Sequence, residues 1–259
     1  MEEHASFDQA ASAYDKTFTD STIGKAQRKR VYHWLDQANF LGDNKRIFEI
    51  NCGTGYDAEY FHNKGIKVVA TDGSPEMIKV ARSLRSEEIE FSVLDFAKVN
   101  EKTIQGENIF SNFGGLNCLN DEELSTLMNR ISSAQQKGDK LALVIMPKYC
   151  LMEGLYFFFR LKWGKLFRRS SKSGLEVNVD GKGVWTFYHS PKAVRKMLPD
   201  YTINLTKPVA LCLPPSYLEP FFHRRPSFLG FLSRMEKVLG RISVFSGWCD
   251  HYILVAEKQ

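Results

Sequence analysis

The chain has few cysteines, and none in a ligand-like or paired arrangement. Its five (Cys52, Cys118, Cys150, Cys212, Cys249) are odd in number, scattered, and free of Cys-x-x-Cys or Cys/His ligand spacing. Buried reduced thiols are therefore expected, not a disulfide framework, and no metal site. Long apolar runs are missing too. The longest cluster, Gly154-Leu-Tyr-Phe-Phe-Phe159, is far short of a membrane span, so no transmembrane segment is expected. The opening Met-Glu-Glu-His lacks the apolar stretch of a signal peptide, and a cytoplasmic chain is the expectation. Internal repeats and low-complexity tracts are also absent. Net charge is small, +5 from 35 basic and 30 acidic residues. That balance suits acidic substrates, acyl-carrier partners or membrane surfaces, and does not by itself imply nucleic acid.

What is present is enough for one large core: 259 residues, 43% hydrophobic and 25% charged. Short apolar runs alternate with helical segments, the pattern of a parallel sheet with crossover helices. Helices are expected near 6–18 and 21–40, then strands near 46–50, 66–71, 89–94, 107–112 and 139–146. Helices near 55–64, 75–85 and 120–136 separate those strands, the last opening on Asp121-Glu-Glu123, which suits the positive end of a helix dipole. After Pro147 the pattern changes. Residues 150–169 read as a helix, apolar first and basic later; residues 175–189 read as two strands around the turn Asp180-Gly181. A helix near 190–198, a strand near 201–212, a Pro-rich loop from Leu213, a helix near 226–240 and a strand near 251–257 complete the chain.

Most functional information lies in residues 46–58, an apolar strand followed by Gly53, Gly55 and the start of a helix. Glycines there let the backbone approach a ligand closely, and the helix N-terminus offers free N–H donors. This is a nucleotide-type cofactor turn. Gly53-x-Gly55-x-x-Ala58 fits a dinucleotide fingerprint, and Asp72, closing the next strand, sits where a ribose-binding acid belongs. Both NAD and S-adenosylmethionine require such an acid. Three features separate them: Glu49 inside the first strand, which suits a cationic ligand end; Asp95-Phe96 after the third, an acid and an aromatic suited to an adenine; and no Lys/Arg cluster near the turn for a pyrophosphate.

On these residues the chain resembles the class I S-adenosylmethionine-dependent methyltransferases of the bacterial small-molecule type. Glu49-Ile-Asn51-Cys-Gly53-Thr-Gly55 is similar to their glycine signature, with Asn51 where the first glycine usually stands. Asn tolerates a left-handed backbone, so the turn is expected to survive. Asp72-Gly73-Ser74-Pro-Glu-Met77 resembles the segment after their second strand, Leu94-Asp95-Phe96 the one after the third, and Ser111-Asn112-Phe113-Gly114 the turn beside the transferred methyl. Phe7 to Phe18, with Tyr14 and Asp15, resembles a cap folding over the cofactor.

The resemblance implies an α/β, Rossmann-like fold: a mostly parallel seven-stranded sheet with helices on both faces. It also implies a single domain divided into a helical cap (1–45), a cofactor core (46–146), an inserted helix and hairpin lid (147–189) and a C-terminal part of the sheet (190–259). S-adenosylmethionine is the implied cofactor. Glu49 would face its ammonium, Asp72 its ribose, Asp95 and Phe96 its adenine, and Asn112 to Gly114 its sulfonium. Arg28, on the second helix, either meets the cofactor carboxylate or belongs to a solvated basic face.

Specificity is expected in the lid, where aromatics crowd; Tyr156, Tyr188 and Tyr217 either line a pocket for an apolar or aromatic acceptor or form a small lid core. For a hydroxyl acceptor, the first choice, His189 is the candidate base, unless His189 or Ser190 caps the helix that Pro191 opens. Asn117 either points its amide at the acceptor or closes a cap or turn, and His251 and His33 read as structural or exposed. The tract Arg160, Lys162, Lys165, Arg168, Arg169, Lys172 is either a solvated face or a contact for a membrane surface or carrier protein. Two other readings stay open: an NAD-linked oxidoreductase, and a non-enzymatic protein that binds the cofactor on the same fold.

Overall fold

The computed structural model describes residues 8, 11–42, 46–100, 102–104, 108–171, 173–179 and 182–259. The turn expected at Asp180-Gly181 and the tract's Lys172 lie outside them. A short helix α1 (Ala11–Tyr14) runs into a π turn (Asp15–Thr19), and α2 (Thr22–Gln37) follows. Then come β1 (Arg46–Ile50), α3 (Tyr56–His62), β2 (Lys67–Asp72), α4 (Pro75–Leu84), β3 (Glu90–Val93), β4 (Asn108–Ser111), α5 (Asp121–Ala134) and β5 (Lys140–Ile145). The second half holds α6 (Leu151–Phe159), β6 (Leu175–Val179), β7 (Lys182–Thr186), α7 (Pro191–Lys196), β8 (Tyr201–Val209), α8 (Glu219–Phe222), α9 (Pro226–Leu239) and β9 (His251–Lys258).

Seven strands form one sheet in the order β3-β2-β1-β4-β5-β9-β8, and β6 pairs with β7 in a separate hairpin. The first five are mutually parallel; β9 is antiparallel to both β5 and β8. This is the mostly parallel seven-stranded sheet expected. Central strands buried on both faces read as near-continuous apolar runs, which is why β1 and β5 were conspicuous. On one face Phe48, Ile109, Leu143 and Leu254 pack with Leu124, Leu127 and Ile131 of α5 and Val194 of α7. On the other, Ile47, Val68, Phe110 and Val144 pack with Val31 and Trp34 of α2, Phe61 of α3 and Ile78 of α4.

Local chemistry sets the helix starts. Asn120 accepts from the amides of Glu122 and Glu123 while Glu123 reaches back to the Asn120 N–H, a capping box for α5. Ser74 and Ser190 cap α4 and α7, each followed by a proline at the first helical position. The Glu219 carboxylate accepts from the amides of Thr22 and Ile23, joining the start of α8 to the start of α2.

One expected element differs. The helix expected over 150–169 stops at Phe159, Leu161 takes a left-handed φ of 55°, and two 3-10 turns follow. A straight helix would carry Arg169 about 24 Å along its axis from Glu153. The reversal instead returns Arg168 and Arg169 to the Glu153 carboxylate, at 2.7 and 2.8 Å.

Candidate functional site

The carboxyl ends of the parallel strands open into a cleft of about 1330 Å³, larger than a pocket for one small ligand. Its floor is the turn after β1. Asn51, Gly53 and Gly55 all have left-handed φ, of 55°, 54° and 73°. The Asn51 side chain accepts from Ser111 Oγ at 2.6 Å and donates to the Asn112 carbonyl at 2.7 Å, joining the tips of β1 and β4. Asp72, at the tip of β2, accepts from the Gly53 and Ser74 amides, both at 2.9 Å. Burial pushes its carboxyl up, and these two hydrogen bonds oppose the rise.

Buried charge surrounds this turn. Arg28 is ion-paired to Asp57, which also accepts from Tyr32 Oη and, at 2.9 Å, from Asn112 Nδ2. The Arg28 guanidinium lies 4.6 Å from the Tyr56 ring centre and 5.0 Å from that of Phe113. Glu49 is 1% exposed, does not line the cleft, and its Oε2 has no hydrogen-bond partner among the described residues. Burial pushes its carboxyl well above the usual range, Asp57 adds to the rise, Arg28 opposes it and Asp72 adds again. Glu49 thus feels Asp57, Arg28 and Asp72 together, while the Arg28 guanidinium is ion-paired to Asp57.

The N-terminal segment covers the turn. A Cβ added to Gly53 would lie 3.8 Å from the Tyr14 ring, and Phe18 meets Phe113 edge-on at 4.9 Å. Asp15 accepts from Thr54 Oγ1 and pairs with Arg85, and Asp8 accepts from Ser74 Oγ. Burial is the main cause pushing the Tyr14 hydroxyl up to about 12.

Phe113, Gly114 and His251 also line the cleft. Phe113 and Gly114 are left-handed, with φ of 45° and 76°. His251 opens β9, and because β9 runs antiparallel, its first residue lies at the carboxyl edge of β5, where Tyr252 pairs with Ile145. His251 Nδ1 is 3.1 Å from Asp250 Oδ2, without hydrogen-bond alignment, and a Cβ on Gly114 would meet Nε2 at 3.6 Å. Asp250 also pairs with Arg169 at 2.8 Å. Burial would raise the Asp250 carboxyl, but His251 and Arg169 outweigh it and hold the group far below the usual range.

Among the residues singled out from sequence, Tyr14, Arg28, Asn51, Gly53, Asp72, Gly73, Met77, Asp95, Phe96, Asn112 and Phe113 line this one cleft, with Tyr188 and Tyr217 on its lid side. Glu49, Gly55 and Ser74 lie behind its surface: Gly55 faces the Phe91 ring and Ser74 caps α4. Tyr156 does not reach the cleft and packs edge-on against Tyr217 at 6.3 Å.

Neither candidate for chemistry lines the cleft. His189 is buried away from the cleft, with Nδ1 2.7 Å from Asp121 and Nε2 2.9 Å from the Leu119 carbonyl, so neither nitrogen is free to take a proton from an acceptor. Asn117 is 0% exposed and fully engaged. It donates to the Met146 and Phe187 carbonyls at 3.1 and 2.6 Å and accepts from the Met146 amide at 2.9 Å, tying the hairpin exit to the sheet. The imidazole that does face the cleft is His251, set aside in the sequence reading. The antiparallel sense of a last strand beside β5 was the signal that would have found it.

Comparison with known proteins agrees with this geometry. Residues 47–138 match a family described as a methyltransferase domain. A demethylmenaquinone methyltransferase of Clavibacter sepedonicus is 37% identical over 78 residues, which are 30% of this chain; the match spans about a third of that relative, 31%. Among solved structures, the DhpI complex with S-adenosylhomocysteine (SAH) superposes with a TM-score of 0.60 at 17% identity, covering 99% of this chain and 96% of that one. Magnesium protoporphyrin IX methyltransferase from Synechocystis PCC 6803, with bound SAH, gives 0.56 at 16% identity, covering 92% and 85%. A methyltransferase from Listeria monocytogenes gives 0.57 at 14%, covering 88% and 96%.

Proposed function

Because this chain carries a methyltransferase domain at residues 47–138 on the class I methyltransferase fold, we propose that it transfers a methyl group from S-adenosylmethionine to a small acceptor, oxygen being the favoured atom. The observation that carries this reading is the buried charge at the glycine turn. Asp57, ion-paired to Arg28, and Asp72 line the cleft there, and behind them the buried Glu49 carboxyl has an oxygen without a partner among the described residues. Such a site favours a cation and opposes the two phosphates of a dinucleotide. The residues present therefore fit S-adenosylmethionine better than NAD. When bound, S-adenosylmethionine supplies an electrophilic methyl on a sulfonium.

The chain's own residues do the rest. Asp72 retains acceptor capacity for ribose hydroxyls, since each oxygen has so far accepted one amide. Asp95 and Phe96 offer an acceptor and an aromatic face for an adenine, and Tyr14 and Phe18 exclude water above the turn. His251, backed by Asp250, is the group within the cleft suited to take the proton of a hydroxyl acceptor, with Phe113 fixing its ring edge-on at 5.5 Å. The cleft's size leaves room for the acceptor beyond the cofactor. Incubating the full chain with methyl-labelled S-adenosylmethionine and a panel of phenols, carboxylic acids and amines tests the proposal: labelled product from any acceptor supports it. Binding of SAH without label transfer to any panel member would favour the non-enzymatic reading.

A further inference from the structure

Helix α6 is amphipathic in the wrong sense for a helix facing water. Its inner side buries Glu153 and Phe157, while Leu151, Leu155, Phe158 and Phe159, spaced as one stripe, face outward. The apolar display continues past the helix, with Phe159 77%, Leu161 78%, Trp163 62% and Phe167 65% exposed. Scattered exposed apolar residues are ordinary, but a continuous run of this kind marks a covered face. Glu153 cannot turn outward to relieve it, because Arg168, Arg169 and Tyr217 hold its carboxylate.

Charge says what covers the face. Arg160, Lys162 and Lys165 are exposed between the aromatics, and no Asp or Glu occurs between Glu153 and Glu176. A second copy docked by two-fold symmetry would set these cations against themselves. Cations interleaved with Trp, Phe and Leu instead match an anionic bilayer surface, where the rings enter the headgroup boundary and the cations meet lipid phosphates. We propose that the segment from Leu151 to Phe167 docks this protein on anionic lipid bilayers. The docking face shares a wall with the cleft, since Arg168, Arg169 and Tyr217 line the cleft and grip Glu153 of the docking helix.

The test is co-sedimentation of the full chain with vesicles of phosphatidylcholine alone or with phosphatidylglycerol, alongside sedimentation velocity without lipid. The wild type should partition onto the anionic vesicles with a blue shift in tryptophan emission, and release as salt rises. F159S/L161S and K162E/K165E, all at exposed positions, should each weaken partition about tenfold or more while circular dichroism and SAH binding stay unchanged. The proposal is overturned if the wild type ignores anionic vesicles, if those variants partition as well as it does, or if the face instead drives dimerisation that F159S/L161S abolishes. None of these readouts depends on methyl transfer, so the two proposals fail separately.

Discussion

Glu49 is held beneath the turn with a raised carboxyl value and an orphaned oxygen. The folded chain therefore keeps this proton better than the unfolded chain does. Stability is undiminished below the ordinary carboxylate range and declines as pH rises from there toward the raised folded value. Glu49→Gln, which keeps the shape without the charge, should raise Tm by a few degrees at pH 7, with no gain near pH 4; equal shifts at both pH values would contradict this. His251→Asn should cut kcat by about a hundredfold or more with SAH affinity unchanged, whereas His189→Asn should leave kcat within a few-fold and lower Tm. The reverse pattern would restore His189 as the proton acceptor. Asn117→Ala removes the donor to the Phe187 carbonyl and the acceptor of the Met146 amide, a loss on the order of 3 kcal/mol in chemical unfolding. Sequence reasoning located the residues around Asn51, Asp72 and Asp95 because a glycine turn and strand-end acids have fixed spacing along the chain. It did not foresee that His189 and Asn117 stand off the cleft while His251 lines it, because the hydrogen bonds that hold the first two come from residues some 29 to 70 positions away and the third is placed by a strand's direction.

At the scale of elements, the alternating sheet was legible because its strands are short apolar runs punctuated by turn residues, and their bounds shift by at most three residues. The lid was less so. Nothing periodic in residues 150–169 signals that the chain reverses at Leu161; the reversal is driven by a buried cluster in which Glu153 meets Arg168 and Arg169, and Arg169 meets Asp250. Each of the paired arginines is strengthened as a cation by that contact, though burial opposes it and is the largest single influence on Arg169. Glu153→Ala should therefore cost about 3 kcal/mol, since it strips Arg168 of its carboxylate and leaves the buried Arg169 with Asp250 alone. A denaturation midpoint unchanged in this variant would mean the cluster does not hold the lid.

For the molecule as a whole, the fold brings acids from α3 and β2 to one cleft, with Glu49 of β1 behind its surface, and sets a histidine from the antiparallel last strand among its lining residues. Among the described residues no helix is long and apolar enough to cross a membrane, so the proposed docking is to a bilayer surface. The central claim is that the cleft is built for an adenosyl amino acid with a cationic ammonium end and against a dinucleotide. Isothermal titration of the full chain with SAH and with NAD tests it most directly. The former should saturate a single site and, at a hundred times its Kd, stabilise the fold by about 2.7 kcal/mol, while NAD gives no binding heat; saturable NAD binding with no response to SAH would contradict the claim.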